Sequence, residues 1–365
     1  MAERLWILTA FFNPTNTALR VQNYRRFRDH LLAQGGHLLT IEMAFRDDPF
    51  QLQAADAHRL IHVRADSVMW QKERLLNIGL DHLPDDCEAI AWVDCDVLFT
   101  NPTWIHDARQ RLESYPVVQP YEFAVRLGRR SQTMDLTALP LGPEEAQKDV
   151  GCGFRVAQGA HRTLSAPDRE TLGHCGFAWC GRRAIFQRHR LYDRAILGSG
   201  DLYMAAAFLN LSLDRELPTA PMRSDYQRWA RALYPDVQGR LSYVPGALLH
   251  LWHGSRGHRF YASRQRILAR CAFDPGTDLT LNRDRCWEWA STKPALHQAV
   301  RRYFSLRNED GNVWRFARAA LRDPVFVGHA LLGRWRALGL GWLRRHLPGL
   351  YRQGIAMRET WCHGR

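Results

Sequence analysis

The stretch from Ala91 to Pro102, AWVDCDVLFTNP, places two aspartates, Asp94 and Asp96, between two apolar runs. Carboxylates inside a buried strand are costly unless both charges are compensated. The strand must end there, or a cation must sit there, or both. Side chains of a strand alternate, so Asp94 and Asp96 share a face and Cys95 turns to the other.

Outward from this stretch, strand-like and helix-like segments alternate. RLWILTAFF (4–12) is an apolar run closed by the turn signal Asn13-Pro14. ALRVQNYRRFRDHLLAQGG (18–36) sets Leu19, Tyr24, Phe27 and Leu31 at helical spacing before Gly35-Gly36. HLLTIEMAF and RLIHVRA read as further strands, DSVMWQKERLLNIGLDHLP as a helix, and EAIAWVDCDVLF as the strand that carries the two acids. Such alternation predicts an α/β fold with a mostly parallel central sheet flanked by helices. Ligands of such sheets bind beyond the carboxyl ends of the strands, where Asp94 and Asp96 fall.

Beyond residue 128 the pattern loosens. Residues 128–172 mix Gly, Pro and charge and read as a long loop or lid. GHCGFAWCGRRAIF is strand-like, DRAILGSGDLYMAAAFLNL a loop entering an apolar helix, and LSYVPGALLHLWHGSRGHRFY a strand ending in a His-rich turn. ASRQRILARCAF is a basic helix, and Trp287 and Trp289 are expected to pack with the last core helix. Residues 310–365 hold ten Arg against three acids and read as an Arg-rich helical extension. It suits an anionic membrane surface, nucleic acid, or a plain solvated cap.

The 365 residues suffice for one large domain or two ordinary ones. A net charge of +13 favours an anionic partner: nucleotide, nucleic acid or lipid surface. Only three of the 50 cations are Lys, so the sign of the charge says more than the choice of Arg. Eight scattered cysteines without a C-x-x-C suggest reduced thiols. No apolar run reaches about 18 residues, and the N-terminus lacks the features of a signal peptide. A cytoplasmic protein is expected, peripheral at the inner membrane face if the extension binds lipid.

The acid pair acquires a chemical reading from LLHLWHG, where His250 and His253 stand three apart. Mg²⁺ and Mn²⁺ take one or two carboxylates together with substrate phosphates, and a neutral imidazole can complete the sphere of Mn²⁺. Asp94, Asp96, His250 and His253 are therefore the candidate metal ligands, although either histidine could instead be a satisfied core residue. Asp201, just before LYMAAAF, is the candidate general base and equally a candidate helix cap. Glu122 is a rival carboxylate. Trp179, Tyr203 and Trp252 could stack on a sugar or serve as core.

These motifs, in this order, resemble the GT-A class of metal-dependent, nucleotide-sugar glycosyltransferases, nearest to the inverting galactosyltransferase-like branch. The resemblance runs from WQKERLLNIGL through WVDCDVLFTN and LGSGDLYM to His250-x-x-His253, over roughly residues 1–260. It implies a Rossmann-like GT-A domain over 1–309: a nucleotide-binding half (1–110), an acceptor half (111–260) and closing helices (261–309). It implies Mn²⁺ or Mg²⁺ on Asp96 with His253 and His250, and Asp94 on the metal or the ribose. Lys72 would meet the diphosphate, and Thr9, Phe11 and Asn13 the nucleoside. The implied activity is an inverting hexosyl transfer from a nucleotide-sugar, UDP-sugar favoured, to a hydroxyl of a surface glycan or lipid-linked saccharide. The alternatives are a nucleic-acid-binding protein, a DNA-base glycosyltransferase using the basic surface, and a nucleotidyltransferase.

Overall fold

The computed structural model of the chain describes residues 4–129, 147–254, 259–260, 264–307 and 309. The expected extension at 310–365 and part of the expected lid, 130–146, lie outside the described residues. The elements of residues 4–93 form in the expected order: β1 (Arg4–Phe12), α1 (Ala18–Ala33), β2 (His37–Phe45), β3 (Arg59–Ala65), α2 (Lys72–Leu80) and β4 (Cys87–Val93). There follow β5 (Val97–Phe99), α3 (Trp104–Ser114), β6 (Val117–Gln119), β7 (Phe123–Arg126), β8 (Gln147–Val150), α4 (Cys152–Ala157) and α5 (Arg169–Leu172). Then come β9 (Ala178–Arg182), α6 (Arg183–His189), α7 (Gly200–Phe208), α8 (Ala220–Val237), β10 (Leu241–Tyr243) and β11 (Ala247–His250). The described chain closes with α9 (Gln265–Arg270), β12 (Leu279–Leu281), β13 (Trp287–Trp289) and α10 (Pro294–Leu306).

The central sheet has seven strands in the order β10-β6-β9-β4-β1-β2-β3. It is the mostly parallel, Rossmann-like sheet expected: β9 alone runs antiparallel to its neighbours, β4 and β6. Both faces are covered. Ile7, Phe11, Ala91 and Val93 join Tyr24 and Phe27 of α1 and Trp104 of α3 on one side. Leu8, Ala10, Phe12 and Trp92 join Leu75 of α2 and Met204 of α7 on the other. Helix α2 lies close upon β1 and β2 at Gly79, where a Cβ would come within 2.6 Å of Ile41 Cδ1 and 2.7 Å of Leu8 Cδ2. That depth carries the start of α2, with Lys72, to the carboxyl edge of the sheet.

EAIAWVDCDVLF is not one strand. β4 ends at Val93, Asp94 to Asp96 make a turn, and β5 leaves for a second sheet of order β5-β11-β7-β8. There Val97 pairs with His250, and Leu251 N–H donates to the Asp96 carbonyl at 2.8 Å. The register thus sets Asp96 beside the His250 segment, some 150 residues away in sequence.

Two other expectations need correction. The helix expected from Asp66 begins at Lys72. The described part of 128–172 is not a bare loop, since it holds β8, α4 and α5; pieces of four to six residues are too short to show a period. Trp287 and Trp289 lie in the β12–β13 hairpin, and Trp289 packs with the last core helix as expected, stacking on His297 of α10 with centroids 4.4 Å apart. Among the described residues no helix is long and apolar enough to cross a membrane.

Candidate active site

A cleft of about 640 Å³ opens at the carboxyl edge of β1 and β4, and the acid pair lies in its wall. Lys72, at the start of α2, donates to Asp94 Oδ1 at 2.9 Å and to Asp201 Oδ1 and Oδ2 at 2.8 and 3.0 Å. Burial by itself would drive the proton off this ammonium; Asp201, Asp94 and Glu73 overcome that and hold its pKa well above the usual range. Asp201 sits in the first turn of α7. Its carboxylate is turned to Lys72, so the capping reading does not describe its contacts. Burial raises its pKa, Lys72 lowers it, and Asp94 raises it again, with a net upward shift.

The approach of α7 to α2 is close. A Cβ on Gly200 would fall 2.1 Å from Glu73 Oε1, so only glycine fits between Asp201 and that buried carboxyl. Burial pushes Glu73 up to about 7, against the pull of Lys72. Two bulky or polar residues are held in the left-handed region at the rim of the cleft: Phe177 with φ 76° and Ser199 with φ 84°. Such conformations persist where the surroundings impose them, and they concentrate at functional sites. Phe177 uses its carbonyl to accept the Asp94 N–H at 2.7 Å, which fixes the acid turn to the start of β9. Its ring lies between His174 (4.2 Å) and His250 (4.7 Å), centroid to centroid.

Beyond Asp94, one carboxylate and two imidazoles converge. Ligand atoms of Asp96, His250 and His253 all lie within 4.8 Å of one another. His253 Nε2 is 3.4 Å from Asp96 Oδ2 and 2.9 Å from His250 Nε2; His250 Nε2 is 3.8 Å from Asp96 Oδ1. Burial, then Arg259 and His250, hold His253 well below its ordinary pKa, so it is the neutral imidazole that a metal requires. Burial and the neighbouring Asp94 push Asp96 up to about 7, while Arg20 and Arg259 oppose them. A cation would relieve this strained charge, and a mixed oxygen–nitrogen donor set suits Mn²⁺ better than Mg²⁺, which prefers oxygen throughout. The residues therefore fit a divalent metal. Asp94, bound to Lys72, stands next to this group rather than in it.

The remaining expected residues divide plainly. Thr9 is fully buried and donates to the Val93 carbonyl at 2.7 Å, and Phe11 packs on Tyr24 beneath the sheet. Asn13 serves the turn before α1: its Oδ1 accepts from Thr17 N–H and its Nδ2 donates to Thr17 O, both at 3.0 Å. The strand's other face, Ala10 and Phe12, lines the cleft instead. A strand buried on both faces shows no alternation in sequence, so the parity could not be read. Trp179 is core, fully buried, with its indole N–H on the Cys175 carbonyl at 2.7 Å. Glu122 holds the β7 entrance through its backbone and does not line the cleft. Trp252 is half-buried beside Asn23 and under Arg129, also off the lining.

Sequence reasoning missed the arginines. Arg20, Arg126, Arg259, Arg264 and Arg307 line the cleft, with His174 and Asp149. Arg126 Nε donates to Asp149 Oδ2 at 2.5 Å; Arg264 Nη2 donates to Ser199 Oγ at 2.7 Å. Glu309 is bound by Arg20 at 3.2 Å and Arg307 at 2.6 Å. Burial would raise its pKa, but Arg307, Arg20 and Arg259 carry it down to about 2. Arg20 could have been suspected as the cation on α1 that follows the β1 turn; the others carry no local signal.

No family model matches the chain, and no curated protein matches it. Solved structures do. The chain is similar to the catalytic domain of Drosophila beta1,4galactosyltransferase 7 in complex with xylobiose: 14% identity over 57% of this chain and 62% of that one, TM-score 0.29. It thus spans less than two thirds of that domain's length. It is similar to S. aureus TarS 1–349 in complex with UDP-GlcNAc: 12% identity, 99% and 92% coverage, TM-score 0.34. It is also similar to 4-diphosphocytidyl-2C-methyl-D-erythritol synthase from Anaerococcus prevotii: 11% identity, 66% and 87% coverage, TM-score 0.30. Glycosyltransferases are thus among the structures the chain is similar to.

Proposed function

We propose that this chain is a GT-A glycosyltransferase that moves a hexosyl group from a nucleoside-diphosphate sugar, a UDP-sugar in the first instance, to a hydroxyl of a surface glycan or lipid-linked saccharide. The observation that carries the reading is the convergence of Asp96, His250 and His253 in the same cleft as the Lys72–Asp94–Asp201 cluster. Asp96, His250 and His253 would hold Mn²⁺ or Mg²⁺. When bound, such a cation supplies positive charge against a departing diphosphate.

The chain's own groups account for the rest. Phe12 and Trp70 give the nucleoside an apolar wall beside Arg20. Lys72, kept charged by its acids, faces the developing negative charge of the leaving diphosphate. Asp201 accepts the proton of the acceptor hydroxyl as its oxygen bonds to the anomeric carbon, and the bond to the diphosphate oxygen breaks with its electron pair. Attack opposite the leaving group inverts the anomeric centre; a product that kept the donor configuration would end that part of the reading. Work at the cytoplasmic membrane face belongs to the same proposal and rests on the basic composition of residues 310–365.

The test is calorimetric binding of UDP, GDP and CDP, with and without Mn²⁺, to wild type and Asp96→Ala. One nucleotide should bind, and its binding should need both the metal and Asp96. Binding that ignores both would overturn the metal reading. Salt-sensitive affinity for DNA without a metal requirement would favour the nucleic-acid alternative instead.

A further inference from the structure

We infer that Arg20 and Arg307 form an oxyanion site for a diphosphate, and that Glu309 occupies it as an internal stand-in which the ligand displaces. The inference rests on the nucleotide-sugar reading for the identity of the ligand, but its geometry is independent of it. The Glu309 carboxylate takes one guanidinium on each oxygen: Arg307 Nη2 on Oε1 at 2.6 Å and Arg20 Nη1 on Oε2 at 3.2 Å. Both arginines line the large cleft. Their guanidinium groups lie over two aromatic rings of its wall, Arg20 at 5.3 Å from the Phe12 centroid and Arg307 at 5.2 Å from that of Trp70. Glu309 is 6% exposed and closes a small recess against the same four side chains.

The position of this pair makes the stand-in more than a surface clamp. Both arginines line the same cleft as Asp96, His250 and His253, and the charge of Arg20 acts on Asp96. A diphosphate on a cation at Asp96 would therefore reach them. Arginine forks bind carboxylate and phosphate oxygens in the same planar, two-pronged geometry. Two anions cannot share that fork, so ligand and Glu309 must exchange. A carboxylate in the site lowers apparent affinity by the fraction of molecules in which the site is taken.

The test compares Glu309→Gln with wild type by calorimetry, using inorganic pyrophosphate without metal, UDP with Mn²⁺, and uridine. Glutamine keeps the shape and removes the charge. Pyrophosphate and UDP should each bind about tenfold tighter to the variant, with uridine unchanged. Arg20→Gln should weaken pyrophosphate and UDP. A thermal melt checks the fold, and Glu309→Ala gives a second variant if the amide packs badly. Unchanged or weaker pyrophosphate binding in both folded Glu309 variants would overturn the inference, because Glu309 would then be orienting the arginines. The two readings fail separately. If pyrophosphate tightens while no nucleotide binds, the oxyanion site stands and the nucleotide reading falls. If UDP binds wild type through Mn²⁺ and Asp96 but Glu309→Gln gains nothing, the inference alone falls.

Discussion

The two walls of the cleft are built differently. On one, Lys72, Asp94 and Asp201 stand at ends of core elements, α2, β4 and α7, and each is within 3.0 Å of another. On the other, Arg20, Arg259 and Arg307 come from α1 and from segments around and beyond α9 and α10, with Glu309 bound to Arg20 and Arg307. The first wall is fixed by the sheet. The second is fixed by ionic partners that meet only once the chain has closed. A wall made of element ends tolerates little change in charge, whereas one made of paired side chains can exchange partners.

If that contrast is right, the largest effect comes from the first wall. Asp201→Asn should lower kcat about 10²- to 10⁴-fold while metal–nucleotide affinity stays within a few-fold, as turnover and calorimetry would show. Equal loss in both would mean that Asp201 only holds Lys72. Next, His253→Ala should weaken Mn²⁺-dependent nucleotide binding by at least about 100-fold. Acid should reach the same site. Asp96 is pushed up to about 7, so it keeps its proton below that pH, and a metal must displace it. Mn²⁺ affinity should therefore fall about tenfold per unit below pH 7 and level off above it. A flat profile from pH 6 to 8 would break the assignment.

Smaller effects test the parity of β1. Phe12→Leu should weaken nucleotide binding about tenfold with a modest change in Tm. Phe11→Leu should cost about 1–2 kcal/mol of stability and leave the affinity unchanged. Smallest is Gly79→Ala, in which the better helix residue is offset by crowding against Ile41 and Leu8, for a net loss of about 1 kcal/mol in a thermal melt.

What could be read from the sequence follows the same division. Asp94, Asp96, Lys72, Asp201 and the His250–His253 pair were legible because each sits at the end of a patterned segment, where a polar residue is conspicuous. Thr9, Phe11 and Asn13 were misplaced because β1 is apolar on both faces, so nothing marks the side that meets the cleft. Trp179 looked available for a sugar because an aromatic residue reads alike in a core and on a platform. The arginine wall was hidden by number, since any five of 50 cations look alike until their partners are known. Short elements such as β8 and α4 fell below the length at which periodicity speaks.

The switch of the chain from one sheet to the other between β4 and β5 has a consequence for assembly. Just past that junction Val97 pairs with His250 inside the second sheet, so a slip of one residue would bring Leu249 or Leu251 to the position beside the acid turn. It would also turn the imidazole to the opposite side of the strand. Only one alignment of β5 with β11 offers a carboxylate and two imidazoles together. A cation arriving during folding would therefore act as a proofreader of strand alignment, rewarding the correct pairing and none of its neighbours.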